Sequence, residues 1–498
     1  MIVALDGTSL PDRALIGGKA WSIARMMSLG LPVPPAFVVT TKACNAYLES
    51  GALPPGLIDQ LHTAMARLEA ATGRSFGNGE RPLLVSVRSG AAISMPGMMD
   101  TVLNLGISPA TEAALGSECG DPAFAADVHR RFRELYASIV VNADPAAVDP
   151  AEHLVEAIKA VFDSWNSRRA RRYRSHHGIA DDLGTAVTIQ AMVFGNLDDL
   201  SGTGVLFSRN PLTGEPLPYG EFLARAQGED VVSGKFNPDG LDAMHRLVPD
   251  AHDALLEAAR VLERENAEMQ DIEFTVERGK LFLLQSRTGK RAPAAAVRIA
   301  VDMCRDGLID RDTALGRVTA EQAHLLLAPR LADGAADRAT LLASGEAACP
   351  GVGVGLAVGD SDTAEARARA GEDAILVRPT TSPEDVHGMI CAKAVVTETG
   401  GATSHAAVVS RALGKPCVVS CGAGVLDTLK GRLITVDGAS GRIFDGRLDV
   451  VAPDEHSDPW LSQLSEWART AVPQASPGDG LPALLAAIHG VEIDQETV

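Results

Sequence analysis

The sequence predicts a multidomain protein of mixed class, α+β through its first half and α/β in a later unit. Three observations carry this. Short runs of β-branched and aliphatic residues alternate with segments of helical period. Two of those runs, 270–276 and 281–287, flank a tight Arg278-Gly279-Lys280 turn and read as a hairpin. Another run, 394–397, leads through a glycine pair into a helix over 404–413, the strand–loop–helix order of an α/β unit.

Composition bounds the rest. A chain of 498 residues suits roughly two to four domains. Hydrophobic residues make up 46% and aromatics only 4%, so the cores must be largely aliphatic. A net charge of −19 argues against a broad nucleic-acid or anionic-membrane surface, so no nucleic acid and no membrane is expected as partner. No basic segment with an apolar follow-on opens the chain. No apolar run nears the ~18 residues of a membrane span. The expectation is a soluble, cytoplasmic protein. Seven cysteines are scattered without zinc-site or disulfide-framework spacing.

Taken in order, Gly17-Gly18-Lys19 precedes a helix over about 20–29. Paired glycines let backbone approach a ligand, and Lys19 adds a compact positive charge. A turn with a solvated lysine reads equally well. It is no Walker A loop, for no Gly-x4-Gly-Lys-Ser/Thr occurs. A buried strand over 83–87 ends at Arg88-Ser89-Gly90-Ala91. An arginine there suits bidentate phosphate binding, though it also suits pairing with a carboxylate. Residues 121–180 read as helical, and their Arg168–Arg174 cluster reads as a solvated face.

The run Ser201-Gly202-Thr203-Gly204 reads as a turn between strands, able to offer successive amides to phosphate oxygens, or as a plain hairpin. In the 270–287 hairpin, the period of two places Asp271, Glu273 and Thr275 on one face, with Gln285 near it on the partner strand. Two carboxylates and an amide oxygen are hard ligands suited to Mg²⁺ shared with nucleotide phosphates. Arg287 adds positive charge for a transferring group. A hairpin edge with alternating polar residues is the plainer alternative. Residues 290–345 read as amphipathic helices connecting two units.

The 394–413 unit places His405 in the first turn of a helix capped by Thr403 or Ser404 and stopped at Gly414. First-turn amides lack intrahelical partners and favour an anion. A neutral imidazole there is a competent nucleophile, and its phosphorylated form would be held. A histidine that merely packs in the first turn is the alternative.

The stretch Gly400-Gly401-Ala402-Thr403-Ser404-His405-Ala406-Ala407-Val408-Val409 resembles the phosphohistidine loop of enzymes that use or make phosphoenolpyruvate. Arg88-Ser89-Gly90-Ala91 followed by Ser94-Met95-Pro96-Gly97-Met98-Met99-Asp100 narrows this to the pyruvate, phosphate dikinase family. The phosphoenolpyruvate synthase branch departs after Arg-Ser and usually carries Cys where Ser404 stands. Two positions depart from the dikinase pattern: Thr399 replaces a usual Arg, and Ala402 a usual Met.

The resemblance implies an ATP-grasp nucleotide-binding domain over 1–289, a helical connector over 290–345, a swivelling phosphohistidine β/α domain over 346–452 and a tail over 453–498. It implies that Lys19, Arg88, Gly202, Thr203, Gly204, Asp271, Glu273, Gln285 and Arg287 bind ATP, with Mg²⁺ on Glu273 and Gln285. It implies that His405 carries the phosphoryl group and that Thr403 matches a regulatory phosphorylation position. ATP and phosphate would be substrates. Pyruvate and phosphoenolpyruvate would be reached indirectly, through a separate barrel-domain protein, because the family's barrel needs about 250 residues. Two alternatives are a nucleotide-binding phosphocarrier or regulatory module, and a synthase-like enzyme that uses water in place of phosphate.

Overall fold

The computed structural model describes residues 1–93, 95, 98–140, 149–176, 178–228, 230, 239–401, 404–451 and 453–490. Two compact units emerge: Met1–Pro211 with Pro216–Lys290, and Leu212–Glu215 with Arg291–Val498.

The first unit holds two antiparallel sheets. β1 (Ile2–Leu5), β2 (Ala36–Val39), β5 (Val85–Gly90), β6 (Thr101–Leu105) and β7 (Ala186–Ala191) run in the order β1-β2-β7-β5-β6. The short β3 (Ser75–Phe76) and β4 (Pro82–Leu83) pair separately. β2 and β7 are buried along their whole length, so β2 reads as a continuous apolar run, and β7 does so but for Thr188 and Gln190. The second sheet takes β8 (Gly202–Phe207), β9 (Tyr219–Ala224), β10 (Asp239–Gly240), β11 (Gln270–Glu277) and β12 (Lys280–Thr288), in the order β10-β9-β8-β11-β12.

The helix Arg13–Ser28 ties the two sheets together. Its Ile16, Ala20, Ile23 and Met26 enter one core with Val38 and Ala186 of the first sheet and Ile272, Phe274 and Leu283 of the second. This helix starts earlier than the sequence suggests, with Asp12 Oδ1 accepting from Ala14 N–H at its cap. Gly17 interrupts it at φ 76°. A Cβ on Gly17 would lie 1.8 Å from the Gly90 carbonyl oxygen, so only glycine lets the helix lie this close to the end of β5.

The arginine cluster is not wholly solvated. Arg174 is buried, with its guanidinium 4.1 Å from the Trp165 ring and its Nε donating to Asp181. The cation and the ring cover each other, which charge periodicity alone does not reveal.

The second unit opens with helices Pro293–Arg305, Arg311–Gly316 and Ala320–Leu327. The expected connector is more than a linker, because these helices share a core with the expected tail. Val297, Val301 and Leu315 pack against Leu461, Leu464 and Trp467 of helix Pro459–Ala471, and against Leu481, Leu484 and Leu485 of helix Leu481–His489. Trp460 Nε1 donates to Asp302 at 2.8 Å.

β13 (Arg330–Leu331) leads into a mixed sheet made of β14 (Leu341–Ser344), β15 (Glu346–Cys349), β16 (Val352–Val358), β17 (Ala374–Arg378), β18 (Ala394–Thr397), β19 (Cys417–Val419), β20 (Leu433–Asp437) and β21 (Arg442–Asp445). The order is β14-β21-β20-β16-β17-β18-β19-β15, with β16 to β19 parallel. The two edge strands are consecutive in sequence and joined at Gly345, so the sheet curls until its edges meet. β14 therefore belongs to this sheet and not to the preceding connector. The chain leaves through β22 (Val450–Val451), which pairs with β13.

Candidate active site

In the first unit, two adjoining cavities of about 560 and about 580 Å³ share Arg88, Thr101 and Glu273. They form one cleft with a polar and an apolar end. A larger groove of about 660 Å³ lies between β1 and helix Leu57–Thr72, lined by Asp59, Arg67 and Leu68 among others. It gathers no set of converging cations and metal ligands, so the cleft is the candidate site.

The polar end brings together Lys19, Arg88, Glu273, Gln285 and Arg287. Lys19 arrives from the helix just after the Gly17 break, where Gly18 N–H donates to the Ala91 carbonyl at 2.9 Å. The half-buried Lys19 ammonium is pushed down to about 7 by burial and by the Arg88 charge. Glu273 opposes the shift and Arg287 adds to it. Arg88 sits inside β5, not beyond it, with Nη2 3.7 Å from Glu273 Oε2. Like charges crowded around one partly dehydrated pocket call for a polyanion.

A bulge sets the opposite wall. Counted from the Glu277–Lys280 pair, a regular hairpin would put Leu284 opposite Glu273. The register shifts between Glu273 and Phe274, so Gln285 faces Glu273 instead. Leu281 and Leu283 turn into the core, while Leu284, Gln285 and Arg287 all reach the cleft. The inserted residue re-aims the strand. Glu273 and Gln285, directly opposed, offer two hard oxygens, a set that fits Mg²⁺ completed by phosphate oxygens and water.

Two expected contacts come out differently. Asp271 does not line the cleft; it is buried, and it accepts from Arg287 Nε at 2.8 Å. Burial holds its carboxyl above the usual range against the lowering pull of Arg287. Arg287 in turn is held above its ordinary value by Asp271 and Glu273, against burial. Asp271 thus orients Arg287 and leaves the metal set.

Gly202, Thr203 and Gly204 form no phosphate-binding turn; they lie in β8, a central strand whose amides serve β9 and β11. A Cβ on Gly202 would meet the Phe222 ring at 2.2 Å, and one on Gly204 the Phe274 ring at 2.6 Å. These glycines make room for aromatic rings. Thr203 and Gly204 still border the apolar end, beside Leu103, Met192, Val193, Phe274 and Leu284. That end suits a planar base.

Sequence reasoning missed Arg13, Thr101 and Gln190, which also line the cleft. Gln190 had a signal: it is a buried amide in an otherwise short-chain and apolar strand, and its Nε2 donates to the Pro34 carbonyl at 3.1 Å.

His405 opens helix His405–Ala412 of the second unit. Ser404 caps it, with Oγ accepting from Ala407 N–H at 3.4 Å. Gly400 has φ 118°, and a Cβ there would crowd Ser404 at 3.0 Å. Ala406 and Ala407 anchor the helix against the sheet. The half-buried imidazole has Nδ1 3.0 Å from Oγ1 of the buried Thr381. Thr403, the expected regulatory position, lies outside the described residues. No helix among the described residues is long and apolar enough to cross a membrane.

Comparison with known proteins finds a family match in each of the two units. Residues 13–57 and 47–248 match the pyruvate phosphate dikinase AMP/ATP-binding domain, and residues 370–441 match the mobile domain of PEP-utilising enzymes. Pyruvate, phosphate dikinase of Rhizobium meliloti (strain 1021) is 42% identical over 92% of this chain and 59% of the relative. Pyruvate, phosphate dikinase 2 of Zea mays is 43% identical over 91% of this chain and 58% of its own length. A chloroplastic dikinase of Arabidopsis thaliana is 41% identical over 92% and 53% respectively. The chain thus spans somewhat over half the length of the curated relatives it matches. In sequence and in domain order, the chain belongs to the pyruvate, phosphate dikinase family.

Proposed function

We propose that this chain carries out the nucleotide half of a dikinase reaction, with His405 as the phosphoryl carrier. The observation that carries the reading is the polar end of the cleft: Lys19, Arg88 and Arg287 converge on the Glu273–Gln285 pair. This is a built receptacle for a metal-bound polyphosphate.

Nucleophilic attack from Nε2 of His405 requires the proton on Nδ1, which lies 3.0 Å from Thr381 Oγ1, an oxygen able to accept it. Nε2 bonds to the β-phosphorus of ATP, and the bond from that phosphorus to the oxygen bridging to the α-phosphorus breaks. AMP leaves with that oxygen. A phosphate oxygen then attacks the terminal phosphorus and departs as pyrophosphate, leaving one phosphoryl group on Nε2. Mg²⁺, when bound at Glu273 and Gln285, supplies charge neutralisation at the phosphate oxygens. Lys19, Arg88 and Arg287 hold the same oxygens in place. Onward transfer to pyruvate, giving phosphoenolpyruvate, completes the reading. No pyruvate-binding barrel stands among the described residues, so that step is assigned to residues other than these.

Labelled ATP tests the proposal. With Mg²⁺ and phosphate, label from the β-position should appear on the protein as an acid-labile, alkali-stable adduct that His405→Ala abolishes. Label from the γ-position should stay on the protein until phosphate is added, then leave as pyrophosphate. Its loss to water alone would favour the water-using synthase chemistry. ATP binding with no histidine adduct would leave only a nucleotide-binding module and sink the proposal.

A further inference from the structure

We infer that Ser22, which borders the polar end of the cleft with its hydroxyl committed to Ser286, is a positioning residue that locks Lys19 against Gln285 and Arg287. The inference rests on the nucleotide reading of the cleft and adds a residue to it. Ser22 is buried in the helix Arg13–Ser28 and lies one turn beyond Lys19, on the same face. Its hydroxyl makes a reciprocal pair of bonds with a single residue across the cleft. Ser22 Oγ donates to the Ser286 carbonyl at 2.7 Å, and Ser286 N–H donates to Ser22 Oγ at 2.9 Å.

The partner's place in the chain gives these bonds their meaning. Ser286 stands between Gln285 and Arg287. β12 is the edge strand of its sheet, so the outward N–H and C=O of Ser286 have no neighbouring strand to bond. Ser22 closes that edge in place of a further strand. One hydroxyl therefore fixes the helix that carries Lys19 to the residue flanked by the metal-side amide and the phosphate-side guanidinium.

The joint is itself braced. Ser286 Oγ donates to Gln270 Oε1 at 2.8 Å, and Asn266 Nδ2 donates to the same oxygen at 2.9 Å. One turn beyond Ser22, Arg25 pairs with Glu265 at 3.0 Å. The apolar end of the cleft draws mainly on β5, β6, β7, β8 and β11, and Leu284 is its one residue from β12, so it depends far less on this joint. Ser22 therefore controls the grip on the phosphates more than on the base.

Equilibrium binding of MgATP and of adenosine to wild type, Ser22→Ala and Ser22→Thr separates these roles. In Ser22→Ala, the Kd for MgATP should rise on the order of tenfold, the cost of leaving a buried amide and carbonyl unpaired and the cations unregistered. The Kd for adenosine should stay within about twofold, because the apolar end takes only Leu284 from the braced strand. Ser22→Thr, which keeps a hydroxyl, should return MgATP affinity towards wild type. A thermal melt confirms that each variant is folded. An unchanged Kd for MgATP in folded Ser22→Ala overturns the inference, as does equal weakening of both ligands. Failure of the wild type to bind MgATP would overturn the nucleotide reading as well, and so is distinguishable from failure of the Ser22 role alone.

Discussion

Lys19 is the side chain whose charge depends most on what fills the cleft. Its ammonium, ordinarily near 10.5, is pushed down to about 7 by burial and by the Arg88 charge. Below about 7 the lysine is charged and ready for phosphate; above that, binding must draw in a proton. MgATP affinity is thus expected to be highest at the acid end of the range pH ~6.5 to ~9 and to fall by at most about tenfold per unit as pH rises. Lys19→Arg should flatten that profile, because arginine stays charged throughout. Calorimetric titrations across the range check it, and a flat wild-type profile would refute it. The sign for folding is opposite. Between about 7 and 10.5 the unfolded chain binds more protons than the folded one, so this group makes the empty protein more stable as pH rises. The two acids Asp271 and Glu273 of β11 divide their work. Glu273→Gln should raise the Mg²⁺ concentration needed for half-maximal histidine labelling. Asp271→Asn should weaken MgATP on the order of tenfold by loosening Arg287, with the Mg²⁺ requirement unchanged. A Mg²⁺ titration of both variants tells them apart.

At the scale of elements, placement depends on a few backbone irregularities. The 270–288 hairpin is legible in the sequence because strand alternation and an Arg-Gly turn are local signals. The bulge that swaps Leu284 for Gln285 opposite Glu273 is not, since it answers to packing across the cleft. The Gly202-Thr203-Gly204 run reads as a turn because glycine is commonest there. Its glycines instead answer to Phe222 and Phe274, ring contacts that only the folded sheet creates. The His405 helix is legible to within a residue, with glycines before it, Ser404 at its cap and Gly414 after it. Gly17 is the element-level test. Ala in its place would need a Cβ 1.8 Å from Gly90 O at a positive φ. Gly17→Ala should therefore move the helix off β5, cost about 1–3 kcal/mol of stability, and weaken MgATP more than adenosine. Chemical denaturation and the two binding titrations measure this. A variant as stable as wild type would show that the helix has room the structure does not give it.

For the molecule as a whole, the separation of cores decides what can move. Among the described residues, the second unit contains a helical core and two clusters on the sheet, and the helical core shares no buried residue with either. Between them the chain crosses twice, and both crossings are the two-residue strands β13 and β22 paired side by side, with Val450 and Val451 exposed. A tether of that size resists bending far less than either core resists deformation. The expected connector could not be recognised as half of a core from sequence. Its partner helices lie beyond the entire sheet, and neither half shows a complete apolar pattern alone. The same division predicts where damage spreads. Leu464 is fully buried at the seam between helix Pro459–Ala471 and the helices that precede the sheet. Leu464→Ala should cost about 2–5 kcal/mol. The loss should appear as faster amide hydrogen exchange in residues 293–327 and 459–489, with exchange in the strands that carry Arg88 and Glu273 unchanged. MgATP affinity should also be unchanged, since no cleft residue belongs to that core. If exchange rose equally in the sheets of the first unit, the cores would be one cooperative body, and movement about the paired tether would lose its physical basis.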